Sequence, residues 1–519
     1  MELAMKWAML VAAALNFGVQ AAYFTHMLQL NSYRPERYKK WCTENDKRLV
    51  NVPRLLPFLC VILLWLNGRV ETWILYAAAA GVLLLTALLN LPKKAKKPLV
   101  VTARVWRLFA TQAVLCAVLL CVGFFLSAQR GIALLGLGSM VIWLWTGVAN
   151  RINVPIEKKI ADGYVADARR ILAEMPDLTV IGVTGSYGKT SVKNFLAAML
   201  SAKYNVLMTP GSYNTTMGVV RTVREMLRPS HRIFIAEMGA KQPGDIREIC
   251  ELVHPQYGVI TSIGEAHLET FGSVDNIVAT KFELADAIPA DGTVFLNWDN
   301  PYIRARAVAA QTVSYSTDVQ ADYRAGEITV DSHGCQFTLT APDGESCRYT
   351  TRLLGVHNIQ NLAGCMAVAH KLGVSLKDMV YPVRMLKPVE HRLQLLPNGY
   401  IDDAYNSNPA GFRSALDTLA AFDAQRVLVT PGMVELGERQ DALNRELGEY
   451  AATRCDWAVL VGEKQAPPLK EGLLAGGFPE ERLFVAATIQ EALALVGGLP
   501  TDGQARIVLL ENDLPDNFI

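Results

Sequence analysis

The sequence predicts an α-helical membrane bundle followed by α/β structure, and three observations lead to this fold class. The 519-residue chain is 51% hydrophobic, and most of the excess lies before Asn150. From Leu178 onward, short apolar segments alternate with helical stretches, which is typical of parallel α/β units. Residues 180–200, VIGVTGSYGKTSVKNFLAAML, place a glycine-rich loop between a strand and a helix. The length is sufficient for two or three domains.

Charge and cysteine content narrow the classes of function. Lys and Arg number 50 against 49 Asp and Glu, so the net charge gives no case for a nucleic-acid partner. The nine cysteines contain no CxxC pair, which argues against a zinc site or a disulfide framework. This usage fits a reducing cytosol.

The first 150 residues are predicted to form a transmembrane domain of about five helices. A membrane span needs roughly 20 apolar residues. Apolar runs occur at 5–29, 54–67, 72–91, 105–127 and 131–149. They carry no acidic or basic residue away from their ends, so they indicate no ion pathway. An anchor or scaffold is one interpretation of these helices, and a groove for a lipid substrate is the other.

The charges of the loops predict the orientation in the membrane. The loops 30–54 and 92–107 are rich in Lys and Arg, whereas 68–71 and 128–130 contain one Arg each. Positively charged loops stay in the cytoplasm. We therefore expect a multi-pass protein of the bacterial cell membrane, with its N-terminus outside and its catalytic domains cytoplasmic.

A linker over 151–177 and two α/β domains, 178–387 and 388–519, are predicted to follow. In the first domain, alternating polar and apolar residues over 322–353 indicate antiparallel hairpins, and a helix is expected over 357–372. The predicted strands of the first domain are 178–183, 205–209, 232–237, 257–263 and 292–297. Those of the second domain are 399–403, 426–430, 457–461, 482–486 and 505–510.

The glycine-rich loop has the composition of a phosphate-binding loop. It consists of Thr184, Gly185, Ser186, Tyr187, Gly188, Lys189, Thr190 and Ser191. Its two glycines let backbone N–H groups face a phosphate, and the helix that follows directs its positive dipole end to the same place. Lys189 is expected to reach the outer phosphates, and the Thr190 hydroxyl to ligate Mg²⁺. The alternative is a plain turn between strand and helix.

Further polar residues follow other predicted strands. Glu237 comes directly after an apolar strand, and His267 and Glu269 come after another. Lys281 lies on a helix that is otherwise apolar on one face. Ligands bind at the carboxyl ends of parallel strands, so these residues are candidates for one site. Singly, each is more typical of a helix cap or a solvated surface.

These motifs resemble the Mur ligase family, whose members form amide bonds with ATP during cell-wall synthesis. The matching stretches lie in family order over about 178–440, and within the family they are most similar to the branch that adds D-alanyl-D-alanine. They are TGSYGKTS, GSYNTTMG, EMGAKQPGDI, SIGEAHLETFGS, TKFEL, LNWDN, HNIQNLAG, HRLQ, IDDAYNSNP and GMVELGE. The resemblance implies a central ATP-binding domain and a Rossmann-like C-terminal domain.

The resemblance also implies a mechanism and its cofactors. ATP phosphorylates a carboxylate to an acyl phosphate, which an incoming amine then attacks. Two Mg²⁺ ions are implied, one held by Thr190 and Glu237 and the other by His267 and Lys281. Lys281 is expected to be carbamylated by CO₂, which gives it the oxygen ligands that Mg²⁺ prefers. The implied catalytic residues are Lys189, Lys281, His267, Glu237 and Arg392.

Other residues are assigned to substrates by the same resemblance. Asn214 is expected near the phosphoryl groups, and Arg392 and Asp403 are expected to meet the nucleotide from the last domain. The adenine-side candidates are Asn297, His357, Asn358 and Asn361, for which capping or loop hydrogen bonds are the alternative. Tyr405, Asn406 and Asn408 are expected to receive the amine, whereas an Asn-Pro turn that starts a helix would also explain them.

The sequence departs from the family in three places. Tyr187 stands where the family commonly has Asn, and Asn444 stands where His is expected. Apolar segments replace the domain that binds the UDP-sugar. This replacement suggests that the acceptor is a lipid-linked peptidoglycan precursor or a growing surface polymer, with membrane lipid as a partner.

Two other interpretations are open. A membrane-bound synthetase of the poly-γ-glutamate type would use the same chemistry with another amine. A transport ATPase or a scaffold belongs to a different class. The ionisable residues at the strand ends argue against a scaffold, and the uncharged span interiors argue against transport.

Overall fold

The computed structural model describes the chain except residues 46–48, 50, 64–68, 93–97, 266–267, 332, 406, 435, 463–465, 502 and 514–519 and the side chain of Glu269. The chain divides into two compact units, Met1–Gly163 and Tyr164–Ile519. Each unit is described by itself below.

The first unit is helical, and its described helices offer fewer candidate spans than the five predicted. Three helices are long and apolar enough to cross a membrane, namely Glu2–Leu30, Thr72–Leu89 and Ala103–Phe125. Ala128–Met140 and Ile142–Ala173 count as a fourth only if they form one span with a 73° bend. The shorter helices are Pro35–Glu44, Val52–Leu55, Leu56–Phe58 (3₁₀) and Leu59–Ile62.

Local breaks explain the difference. The predicted span 54–67 contains Pro57, and a 3₁₀ turn there separates two four-residue helices. Residues 64–67 of this predicted span lie outside the described residues. The predicted span 131–149 is interrupted at Val141, where one helix ends and the next begins at a sharp angle.

The predicted linker 151–177 is largely helical, because Ile142–Ala173 continues through most of it. Its second part belongs to the α/β unit: Ala168 is fully buried in an apolar cluster of that unit. Asp167 Oδ2 also accepts a hydrogen bond of 2.7 Å from Arg224 Nε.

The second unit contains two sheets, and the first has nine strands. In spatial order they are Val206–Met208, Ile233–Glu237, Thr179–Thr184, Tyr257–Ile260, Thr293–Asn297, Gln311–Ser316, Tyr323–Asp331, Gly334–Thr340 and Ser346–Thr351. The first seven pair in parallel, and the last two add antiparallel hairpins, as predicted over 322–353. Strand Gln311–Ser316 was not predicted.

The order of these strands places the glycine-rich loop. Strand Thr179–Thr184 lies between Ile233–Glu237 and Tyr257–Ile260. The strands that follow it in the chain are therefore added first on one side of it and then on the other. Ligand crevices of open α/β sheets form at such a switch point. The helices around this sheet are Lys189–Leu200, Thr216–Met226, Asp245–Val253, Leu268–Phe271, Val274–Ala287, Pro301–Arg304, Val356–Lys371 and Val380–Met385.

The second sheet has six strands, in the order Gln394–Leu395, Tyr400–Asp403, Arg506–Glu511, Gln425–Thr430, Trp457–Val461 and Leu483–Ala486. All pairings are parallel except the first. Its helices are Pro409–Ala420, Gly437–Arg439 (3₁₀), Gln440–Ala451, Ala466–Ala475, Glu480–Arg482 (3₁₀) and Ile489–Gly498. The α/β prediction is therefore confirmed, whereas a membrane bundle stays a prediction.

Candidate active site

The glycine-rich loop follows the central strand and is held tightly by its neighbours. A Cβ atom at Gly185 would lie 2.0 Å from Thr261 Oγ1, and one at Gly188 would lie 2.8 Å from Asn361 Oδ1. Gly188 also has a φ of 78°, which favours glycine. Both glycines are therefore required where they stand. The Lys189 ammonium folds back over the loop, donating to Gly185 O at 2.8 Å and Ser186 O at 3.1 Å.

Glu237 lies at the end of the neighbouring strand and organises the site. Its Oε1 accepts hydrogen bonds of 3.1 Å from both Thr190 Oγ1 and Asn214 Nδ2. Its Oε2 lies 2.8 Å from Lys193 Nζ, and both side chains of this ion pair are 1% exposed. Burial raises the pKa of Glu237, but Lys193, Lys189 and Asn214 together lower it more, so the pKa is below its ordinary value. Glu237 is thus held as a carboxylate.

Lys189 and Lys281 have lowered pKa values. Burial lowers the pKa of Lys189 to about 8, although Glu237 opposes the shift. Burial and the positive charge of Lys189 lower the pKa of Lys281 to about 7. The Lys281 side-chain nitrogen lies 5.9 Å from the centre of the Phe271 ring, and the residue is buried. This shift favours the neutral amine form of Lys281.

The second sheet contributes residues to the same crevice. Arg392 Nη2 lies 3.4 Å from Thr190 Oγ1, and its guanidinium stacks on Tyr405 at 4.6 Å from the ring centre. A cavity of about 220 Å³ is lined by residues from the segments around both sheets. It is lined by Ser186, Tyr187, Gly188, Lys189, Thr190, Ser212, Asn214, Glu237, Glu265, Arg392, Tyr405, Ser407, Asn408, Val434 and Leu436.

Several predicted residues have structural contacts. Thr184 is fully buried and donates to Met238 O at 2.9 Å, and Ser191 is buried at the start of the helix. Asn358 donates to Leu354 O at 2.8 Å. Asn408 caps helix Pro409–Ala420 through Gly411 N, which agrees with the capping alternative, although it also lines the cavity.

The adenine-side candidates do not form one cluster of free polar groups. Asn297 donates to Thr261 O at 2.7 Å and accepts from Asp299 N at 3.1 Å, and it lines a second cavity of about 270 Å³. His357 Nδ1 lies 2.6 Å from Ser414 Oγ, and burial lowers its pKa to about 4. Asn361 abuts Gly188.

Asp403 does not line the cavity of about 220 Å³. Its Oδ1 accepts from Leu393 N at 3.0 Å, and it pairs in register with Glu511 of the adjacent strand. Burial raises the pKa of both carboxyl groups. The predictions for His267 and Asn406 fall outside the described residues.

Sequence reasoning missed Lys193, Ser407 and Glu511, as well as the ion pair between Arg439 and Glu265. It also treated Asn444 only as a departure. Asn444 is fully buried, accepts from Met433 N at 2.9 Å and donates to Met433 O at 3.1 Å. It therefore fixes the loop that carries Val434 and Leu436 to the cavity. One signal in the sequence could have indicated Glu511: it lies at the end of a strand, as Glu237 does.

Comparisons with known proteins agree with this architecture. Residues 183–369 match the Mur ligase middle domain, and residues 391–509 match the Mur ligase glutamate ligase domain. The chain is 35% identical over 334 residues to UDP-N-acetylmuramoyl-tripeptide–D-alanyl-D-alanine ligase of Mycobacterium tuberculosis, which covers 63% of the chain and 62% of that relative, less than two thirds of its length. It is 34% identical over 329 residues to the ligase of the same name from Escherichia coli, covering 60% of the chain and 72% of that relative.

Solved structures give the same result. MurF from Acinetobacter baumannii superposes with a TM-score of 0.61 and 30% identity, covering 67% of this chain and 76% of that one. MurF ligase from Thermotoga maritima in complex with ADP superposes with a TM-score of 0.60 and 25% identity, covering 68% and 80%. The two matching domains, the order of the motifs and the shared fold lead to one conclusion: the chain belongs to the Mur ligase family.

Proposed function

We propose that this protein is an ATP-dependent ligase that forms an amide bond through an acyl phosphate. It would join an amino acid or dipeptide, with D-alanyl-D-alanine as the first candidate, to a carboxylate of a peptidoglycan precursor. The observation that carries the proposal is a single cavity lined by Lys189, Thr190 and Glu237 from one sheet and by Arg392 from the other. The names of its relatives support the choice of substrates.

The arrangement suits phosphoryl transfer to a carboxylate. Two anions must approach each other, so positive groups have to be fixed around them before the reaction. Lys189 and Arg392 line the cavity and supply such charge, and Lys193 keeps the buried Glu237 paired. Because Arg392 reaches Thr190 from the second sheet, approach of the two sheets completes the site and excludes water from a reactive intermediate.

The donor groups fit Mg²⁺. Glu237 Oε1 faces the Thr190 hydroxyl, and carboxylate and hydroxyl oxygens are the ligands that Mg²⁺ prefers. Bound Mg²⁺ would neutralise the charge of the phosphates. A second ion would be held by Lys281 after carbamylation, together with His267. The lowered pKa of Lys281 supports this modification, since only a neutral amine reacts with CO₂.

We further propose that the acceptor is lipid-linked and that the protein is membrane-bound. The family match begins at residue 183, and Met1–Gly163 is a helical unit with three apolar helices of spanning length. An apolar unit is suited to hold the lipid part of a precursor, which a soluble UDP-linked precursor lacks.

Product analysis by mass spectrometry tests the function. Purified full-length protein is given ATP, Mg²⁺, D-alanyl-D-alanine and either a UDP-linked or a lipid-linked muramoyl tripeptide. We expect phosphate release that requires both substrates, and faster ligation of the lipid-linked acceptor. Exclusive use of the soluble acceptor would contradict the lipid proposal. Phosphate release without any amine would contradict the ligase and favour a transport ATPase, and use of glutamate would favour a poly-γ-glutamate synthetase.

A further inference from the structure

Behind the cavity, two carboxyl groups are buried at adjacent strand ends. Asp403 and Glu511 are direct neighbours in the parallel register, and Glu511 is 1% exposed. Ser407 Oγ lies 2.5 Å from Glu511 Oε1, and Ser407 itself lines the cavity. A continuous path therefore runs from the cavity through Ser407 and Glu511 to Asp403.

The contacts of the pair indicate where its proton lies. Among the described residues, no donor faces the buried Glu511 Oε2. A buried carboxylate oxygen without a donor is costly, whereas a protonated one can donate to Asp403. Asp403 is the better anion, since it accepts from Leu393 N and lies near Arg392. The pair thus carries one proton, mainly on Glu511.

We propose that Ser407, Glu511 and Asp403 form a proton relay that deprotonates the incoming amine; the inference rests on the proposed ligase function. An ammonium N–H gives its proton to Ser407 Oγ, while the Ser407 proton moves to Glu511 Oε1. The proton on Glu511 Oε2 moves to Asp403. The amine is then neutral, its lone pair forms the C–N bond, and the C–O bond of the acyl phosphate breaks. The nitrogen loses its second proton to the departing phosphate, which leaves the neutral amide. Asp403 returns its proton to water on product release.

The surrounding charges are compatible with this role. Arg392 favours the ionised form of Asp403, whereas Asp402 disfavours it. Burial and the charge of Asp403 raise the pKa of Glu511, whereas the hydrogen bond from Ser407 lowers it. The relay therefore starts with one negative charge and ends neutral, which matches the arrival of a positively charged amine.

Hydroxylamine separates this role from a structural one, because it is neutral at neutral pH and needs no base. Glu511→Gln preserves shape but cannot accept a proton. We expect ligation of D-alanyl-D-alanine to fall about 10²-fold, the usual contribution of a general base, while hydroxamate formation from hydroxylamine stays within about twofold. Ser407→Ala should give the same pattern, and the exposed Glu481→Gln should change neither rate.

The outcomes are distinct. Equal loss of both reactions, or no loss of either, would overturn the relay. If Glu511→Gln does not fold, Ser407→Ala alone decides between these outcomes. Absence of hydroxamate with the unmodified protein, ATP and acceptor would instead contradict the acyl phosphate and thus the proposed function itself.

Discussion

The two sheets of the α/β unit differ in the ionisable groups that they hold at and behind the cavity. The first sheet holds the lysines Lys189, Lys193 and Lys281, and Lys193 is paired with Glu237. The second gathers carboxylates, among them Asp403 and Glu511, beside Arg392. The two steps of the proposed reaction need this difference: anions must first be brought together, and an ammonium must then lose a proton.

The largest effect is expected at the glycine-rich loop of the first sheet. Lys189→Ala should lower acyl-phosphate formation by about 10²–10³-fold, because a fixed charge at the phosphates is lost. Hydroxamate formation with ATP and acceptor measures this step. Lys377→Ala, which removes an exposed lysine, is the control and should retain the rate. A small change in Lys189→Ala would separate the loop from the chemistry.

Substitution of Lys281 tests whether the reaction needs a neutral amine at this position. Lys281→Ala should lower ligation by at least about 10²-fold, since the oxygen ligands of the proposed carbamate are lost. Added bicarbonate should not restore activity, whereas a short carboxylic acid should restore part of it. Ligation assays with and without these additions measure the effect. Unchanged activity would remove Lys281 from the mechanism.

The buried ion pair between Lys193 and Glu237 is expected to affect stability. Lys193→Met leaves a buried carboxylate without its partner and should lower the free energy of unfolding by about 3–5 kcal/mol. Urea denaturation measures the loss. The double variant Lys193→Met/Glu237→Gln should recover much of it, because no buried charge remains. Equal stability of Lys193→Met and the unmodified protein would contradict the pairing.

The smallest effect is expected from His357, which contacts Ser414 on helix Pro409–Ala420 beside the second sheet. Its folded pKa of about 4 lies below the ordinary 6.5, so the unfolded state binds more protons between these values. Its contribution is complete above pH 6.5 and is lost as the pH falls toward 4, by up to about 3 kcal/mol. His357→Asn should flatten this part of the stability curve. An unchanged slope would contradict the assignment.

The functional residues of the first sheet were easier to predict from the sequence than those of the second sheet, for physical reasons. Gly185, Gly188, Lys189 and Thr190 lie within six consecutive residues, so their spacing alone indicates a phosphate loop. Glu511 and Ser407 are 104 residues apart, and only folding of the parallel sheet brings them together. Lys193 escaped notice because lysines on helices are usually solvated.

The five membrane spans of the helical unit stay a prediction. Composition identified its apolar segments, but it could not indicate that a 3₁₀ turn at Pro57 and the break at Val141 divide two of the five expected spans. Such breaks depend on local backbone packing, which hydropathy does not measure.

Transfer of oxygen-18 from the acceptor carboxylate tests the central claim most directly. The full-length protein is given ATP, D-alanyl-D-alanine and an acceptor whose reacting carboxylate is labelled, and the released phosphate is analysed by mass spectrometry. If the protein forms an acyl phosphate, one labelled oxygen should appear in each released phosphate. Phosphate without the label would contradict the account.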